Sequence, residues 1–402
     1  MSDFVVGGIA CDEDFFFREE FIADLWDALR KDHVLLLAPR RMGKSSVMNK
    51  MQQNPENGIL SIKLNVEDIN HPGDFLLSLI GAIKEHQEDF FKKVLTKTWQ
   101  LIKKIYDQLE TISISEFQVT LRKSDNWKSN WQLRGKELVE ILENSQEKLL
   151  IILDELPDMI IDMKKHHPEE VIPFLHFFRT IRQKQGTNIR WLVGGSVNIR
   201  GTLEQMNQVK LINDFKIEIL HSFTANEVTI FITRMLEERE VKFDVDVIPK
   251  TLELLGSPIP VFLQMFTQEL YRHWRKHGQE LSADSVNQVF EHALLGDLAK
   301  DKLHHNRDRI ELYYPEKQKT PAYKILTEIS KSEMGITKKQ LKQLYYQHSD
   351  KQLALEVELK PDVDFAQLMY FMQTDFYIEE SESGKFDYSS HLLKLWWRKN
   401  YA

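Results

Sequence analysis

The sequence predicts an α/β fold: a parallel five-stranded sheet with helices on both faces, followed by a helical segment and a C-terminal unit of three helices and a hairpin. Three observations carry this. Short apolar runs without alternation, such as Leu35-Leu36-Leu37 and Leu149-Leu150-Ile151-Ile152-Leu153, suit strands covered on both faces. Helical stretches separate those runs, which is the pattern of a parallel sheet built from βαβ units. From Ser222 the pattern becomes all-helical.

Taken in order, residues 15–30 place Phe21, Ile22, Leu25, Trp26 and Leu29 on one helical face. A buried strand then enters the loop Ala38-Pro39-Arg40-Arg41-Met42-Gly43-Lys44-Ser45-Ser46, whose spacing is the Walker A pattern with Ala38 in place of the first glycine. Such a loop turns backbone N–H groups inward and aims a helix N-terminus at an anion, so it cradles phosphate. Lys44 is expected to reach the β- and γ-phosphates of a nucleotide, and the Ser45 hydroxyl to hold Mg²⁺. The next strand is expected at 59–65, before a helix carrying Phe75, Leu76, Leu79 and Ile80. Residues 88–147 read as an elaboration of two long helical stretches around a strand-like segment, 112–121. Trp99, Trp127 and Trp131 fall there, as core anchors or as a partner surface.

Lys148 to Glu155 is an apolar run ending in two acids, a Walker B strand by pattern. Asp154 is expected to hold Mg²⁺ opposite Ser45, the cation lying between groups from two neighbouring strands. Glu155 is the residue expected to polarise the attacking water, its alternative being an ordinary surface acid. A helix at 174–183 and strands at 189–195 and 216–220 complete the sheet. A strand between the two motifs and a Glu after the Walker B Asp place the chain with the P-loop ATPases that have an additional central strand. No guanine-reading N-K-x-D segment is present, so adenine is the expected base.

Three domains are expected: the P-loop core at 1–221, a helical lid at 222–300 and a winged-helix-like unit at 301–402. Thr224 and Glu227 form a capping box at the start of the lid. In the last unit, helices near 322–330, 337–347 and 365–374 and a hairpin turning at 382–385 give a winged-helix skeleton. Composition narrows the function classes. Of 402 residues, 42% are hydrophobic and 28% charged, and no apolar run approaches a membrane span. Cys11 is the only cysteine, which suits a reducing cytoplasm. A formal charge of −8 argues against nonspecific nucleic-acid binding as the main activity. His166-His167 and His304-His305 sit among charged residues and read as solvated surface, not metal ligands.

The run D-F-F-F-R-E-E at 14–20, the loop at 38–46, Leu153 to Pro157, Gly194-Gly195-Ser196, Ile259-Pro260 and the closing segment at 384–397 follow one another in an order that resembles the archaeal-type ATPase family. That family is related to the signal-transducing (STAND) ATPases and, more distantly, to AAA-type origin-recognition ATPases. The resemblance implies that Arg18 lies near the adenine and that Arg40 and Arg41 are the loop's paired arginines. It also implies that Ser196 is the sensor of the γ-phosphate, with a helix cap as the alternative, and that Pro260 touches the nucleotide from the lid, with Pro258 as a competing match. Two departures stand out. Ala38 requires the loop to begin with negative φ, which Pro39 favours. No arginine lies beside Ile259-Pro260, leaving Arg179, Arg182 and Arg200 as candidates to serve a neighbour's nucleotide, each with a surface salt bridge as its alternative.

The expected function is an ATP- and Mg²⁺-binding switch that hydrolyses slowly and passes its state to an effector or regulatory protein, with a homo-oligomer compatible. The alternative is a DNA-acting ATPase of the replication- or transposition-loader kind using its winged helix. Against it, residues 365–374 carry no Lys or Arg, and residues 301–402 hold 16 Lys+Arg and 16 Asp+Glu. Lys338, Lys339 and Lys342 are the main basic cluster there. A third reading is a scaffold that binds nucleotide without turning it over.

Overall fold

The computed structural model describes residues 15–86, 125–195, 208–348 and 361–402, with Phe4, 89–90, 202–203 and 206. The chain forms two compact units. One comprises Arg18–Ala38 and Lys44–Leu220; the other comprises His221–Ala402 with short earlier segments, among them Pro39–Gly43.

In the first unit, α1 (Glu19–Leu29) buries Leu25, Trp26, Ala28 and Leu29 and precedes β1 (His33–Leu37). Then come α2 (Lys44–Gln53), β2 (Ile59–Asn65), α3 (Pro72–His86), α4 (Trp131–Asn144) and β3 (Lys148–Asp154). Two helices follow, α5 (Leu156–His166) and α6 (Pro168–Arg182), before β4 (Ile189–Gly195) and β5 (Phe215–Ile219). The sheet is parallel, in the order β2-β3-β4-β1-β5. Strand β4 therefore separates β1 from β3, which corrects the expectation that the strands bearing the phosphate loop and the paired acids are neighbours. The additional strand is inserted between them, pairing Leu36 with Gly194 on one side and Leu153 with Val193 on the other.

Leu149 through Asp154 are all buried, as an unalternating run in a doubly covered strand requires. Phe75, Phe174, Phe178 and Trp191 are the large side chains of this core. Trp127 and Trp131 are core anchors: Trp127 Nε1 donates to the Gly73 carbonyl at 3.0 Å and Trp131 Nε1 to Glu170 Oε2 at 2.7 Å. Trp99 and the segment 112–121 lie outside the described residues.

The second unit contains α7 (Ala225–Glu237), α8 (Val247–Leu255), α9 (Pro260–His277), α10 (Ala283–Val289), α11 (Asp297–Tyr313) and α12 (Glu316–Lys331). The expected capping box opens α7: Thr224 Oγ1 accepts from Glu227 N at 3.2 Å, and Glu227 Oε2 accepts from Thr224 N at 2.6 Å. Next come β6 (Ile336–Thr337), α13 (Lys338–His348), α14 (Pro361–Thr374), β7 (Ile378–Glu380), β8 (Lys385–Tyr388) and α15 (His391–Tyr401). The last three strands form an antiparallel sheet in the order β6-β8-β7. Buried Trp396 and Trp397 bind it to the helices, Trp397 Nε1 donating to Thr327 Oγ1 and Tyr388 OH to the Leu326 carbonyl.

Two histidines read as solvated are half-buried. His167 packs edge-on against His71, with ring centroids 4.9 Å apart, and burial pushes the His305 imidazole down to about 4, neighbouring arginines adding to the shift. Among the described residues, no helix is long and apolar enough to cross a membrane.

Candidate functional site

The loop between β1 and α2 makes its turn with two left-handed residues, Arg41 (φ 71°) and Gly43 (φ 88°). An added Cβ at Gly43 would touch no protein atom, so φ, not protein packing, demands glycine there. Ala38 is buried and keeps a negative φ, so its methyl stands where glycine's freedom is not used.

Lys44 opens α2 and is 7% exposed. Its ammonium donates to Glu155 Oε1 at 2.9 Å and lies 3.6 Å from Asp154 Oδ1. An ammonium so buried needs compensating charge, and the two acids at the end of β3 supply it. Asp154 Oδ1 is itself buried and accepts no hydrogen bond from the described residues. The other oxygen, Oδ2, lies 3.6 Å from the ammonium of Lys63 on β2. Lys63 donates to Asn49 Oδ1 on α2, and burial pushes its ammonium below the usual lysine range against the opposing pull of Asp154. Sequence reasoning missed Lys63. It is the one charged side chain in β2, and that is a signal only once the strand order is known.

Glu155 sits at the N-cap of α5 with φ 63° and ψ 40°, left-handed for a residue with a Cβ. That conformation costs about 1–3 kcal/mol and collects at functional sites, because it turns a side chain where a relaxed backbone would not.

How Lys44 reaches the acids of β3 across the intervening strand is explained by the end of β4. An added Cβ at Gly194 would stand 2.3 Å from Met48 Cε and 3.2 Å from Lys44 Cδ, and one at Gly195 would stand 2.3 Å from Pro157 Cγ and 2.6 Å from its Cδ. The lysine stem and the first turn of α5 occupy the space that side chains on β4 would fill. Met48 ends in a flexible thioether, whereas the Pro157 ring cannot turn aside. Gly195→Ala is therefore expected to destabilise the protein by about 1–3 kcal/mol, and by more than Gly194→Ala, when both are compared by urea unfolding.

The other expected site residues are distributed as follows. Ser45 and Ser46 lie in the first turn of α2, Ser45 half-buried and Ser46 buried. Pro39, Arg40 and Met42 belong to the loop, Met42 buried. Arg18 is buried at the N-cap of α1. Pro260 is the first residue of α9, in the other compact unit. Ser196 and Arg200 lie outside the described residues. Arg182 is no surface arginine: it is bonded to both oxygens of Asp214 and its guanidinium carbon lies 4.3 and 4.2 Å from the ring centroids of Phe178 and Phe215. Arg179 is half-buried and donates to the Lys210 carbonyl.

The donor set fits a nucleotide with Mg²⁺. Ser45 and Asp154 offer the hard oxygens that Mg²⁺ selects, and the orphaned Asp154 Oδ1 is a buried acceptor lacking a donor. No family model matches the chain, and no curated protein matches it. Its structure is similar to that of the Walker-type ATPase PABY2304 of Pyrococcus abyssi, with a TM-score of 0.59 and 16% identity over 98% of this chain and 99% of that one. It is also similar to the ORC2 protein of Aeropyrum pernix, solved as ADPNP–ADP complexes, with a TM-score of 0.56 and 13% identity over 96% of this chain and 95% of that one. Such identities speak for architecture: the chain has the fold of the archaeal-type, AAA-like P-loop ATPases.

Proposed function

We propose that the chain binds ATP with Mg²⁺, hydrolyses it slowly, and uses the nucleotide state to control a partner protein. The observation that carries this reading is the meeting of Lys44 with both Asp154 and Glu155. A lysine that follows a phosphate loop and a pair of acids, brought into contact from opposite sides of a third strand, are parts that phosphoryl transfer needs. The bound cation would neutralise charge on the phosphates, held by Ser45 and Asp154. Lys44 would leave the acids for the β- and γ-phosphates, whose charge outweighs a single carboxylate. Glu155, relieved of Lys44, would then accept a hydrogen bond from the attacking water. Because Glu155 is engaged by Lys44 at 2.9 Å, it becomes available as a base only when phosphate has displaced it, which suits a switch with low basal turnover.

On this reading Arg18 lies by the adenine, Pro39–Ser46 wraps the phosphates, Ser196 senses the γ-phosphate and Pro260 contacts the nucleotide from the lid. The domains would be the core at 1–221, the lid at 222–300 and a winged helix at 301–402. Among the described residues, the order helix, strand, two helices and two strands from α12 to β8 supports the last. A partner protein is favoured over duplex DNA because α14, the helix that would enter a groove, buries Phe365, Leu368, Met369, Phe371 and Met372. Among the described side chains its exposed positions are Val363, Ala366 and Gln373, none of them a cation for phosphate. The exposed pair Lys338 and Lys339 on α13 is what favours the DNA-acting alternative.

Phosphate release and binding of a fluorescent ATP analogue decide the matter together. Wild type is expected to release phosphate above a no-enzyme control, and Lys44→Ala is expected to lose both activities by about tenfold or more. Binding without release above the Lys44→Ala rate would leave a scaffold. Tight, salt-sensitive binding of duplex DNA in the presence of ATP would favour the alternative.

A further inference from the structure

We propose that Lys63 is a positioning residue for the metal-facing carboxylate: its ammonium, anchored by Asn49, holds Asp154 Oδ2 and so presents Asp154 Oδ1 to Mg²⁺. The inference rests on the ATP–Mg²⁺ reading above and goes beyond it, since neither the loop nor the acid-ended strand involves β2.

The geometry is that of a carboxylate between two ammonium groups, each 3.6 Å away and each facing a different oxygen. The two lysines are not equivalent. Lys44 stands in the loop's helix, facing Glu155 as well, and is the one that phosphate would draw off. Lys63 stands on the strand next to β3, where Lys63 pairs with Ile152 and Asn65 with Asp154, so its Cα is fixed by the ladder two residues from the acid. Its side chain is 14% exposed and its ammonium is tied to Asn49, so it has little freedom to follow a ligand. When Lys44 turns to phosphate, Lys63 is the cation that stays. A carboxylate with one oxygen tethered can rotate less about its Cβ–Cγ bond, and a metal meets an oriented donor in place of a disordered one. Partners that orient a ligand in this way are typically worth about 10–100-fold in metal affinity.

A lysine beside a metal ligand also repels the metal, so the opposite outcome is physically open and the experiment separates the two. Affinity for the fluorescent ATP analogue is measured in excess EDTA and then across a Mg²⁺ titration. Lys63→Met is expected to leave Mg²⁺-free affinity within about twofold of wild type and to raise the Mg²⁺ concentration for half-saturation about tenfold, with Lys63→Arg restoring most of it. An unchanged or lowered Mg²⁺ requirement in Lys63→Met overturns the proposal. Where circular dichroism finds Lys63→Met unfolded, Asn49→Ala decides. It keeps every charge and removes the anchor, so its Mg²⁺ requirement should rise, and no change in it overturns the proposal. Wild type that binds no nucleotide under any condition defeats the ATP reading itself, a result distinct from normal wild-type binding with a silent Lys63.

Discussion

Glu155→Gln is expected to lower phosphate release by about 10²-fold or more while leaving ATP bound at least as tightly as in wild type. The two halves of this result have one cause. Glutamine keeps the size of the side chain and the left-handed N-cap backbone, but it cannot take a proton from water. The loss of a general base is therefore read in the chemical step alone. Glutamine also weakens the 2.9 Å contact that engages Lys44 before phosphate arrives. Residue 155 then competes less with phosphate for the ammonium, and the cost of drawing it to the nucleotide falls. Single-turnover phosphate release and equilibrium binding of the fluorescent analogue check the two halves separately. A variant that hydrolyses at the wild-type rate would remove Glu155 from the chemistry and return it to the role of a helix-start acid. A variant that loses binding would mean that Glu155 supports the loop and not the water.

The sheet and half of the site were legible because they depend on local pattern. Strands covered on both faces need apolar runs, and Leu35-Leu36-Leu37 and Leu149 through Leu153 are runs of the right length. The loop and the acid-ended strand are equally local, and they bring Lys44, Asp154 and Glu155 together. What the pattern could not give was spatial order. The position of β4 between β1 and β3 is set by a strand that comes after both in sequence, and the need for glycine at 194 and 195 follows from it. Lys63 is hidden for the same reason, since a lysine in a strand reads as a solvent-facing position until its neighbours are known. The sequence pattern places only one helix, at 174–183, between β3 and β4, and gives no expectation of α5. Proline suits the first turn of a helix, where its missing N–H costs nothing, and Pro157 and Pro168 stand in the first turns of two successive helices. Arg182 illustrates the converse error: a charged residue near a helix end looked available at a surface, yet two aromatic rings enclose it.

That enclosure makes Asp214→Ala the substitution with the largest expected cost to stability, about 3–5 kcal/mol. Arg182 Nε and Nη2 donate to the two oxygens of Asp214 at 2.8 and 3.0 Å, Nη2 also reaches the Leu211 carbonyl, and the side chain has no solvent exposure. Removing the acid leaves a guanidinium in the core with one carbonyl as its remaining polar partner, and Nη1 already donates to no acceptor among the described residues. The aromatic faces of Phe178 and Phe215 recover only part of this, about 0.5–2 kcal/mol for a cation over a ring. The backbone carbonyl of Arg182 meanwhile stays fixed by the His33 imidazole. His33 Nδ1 accepts from Trp191 N, so Nε2 carries the proton and donates at 2.8 Å. The charge thus cannot swing out to water without disturbing β1 and β4 together. The double variant Asp214→Ala with Arg182→Met should recover most of the loss, because methionine fills the slot between the rings without a charge to compensate. Urea unfolding of the two single variants and the double closes the cycle. A double variant no more stable than Asp214→Ala alone would show that the acid holds the chain by its backbone setting, and that the enclosed arginine is not what its loss exposes.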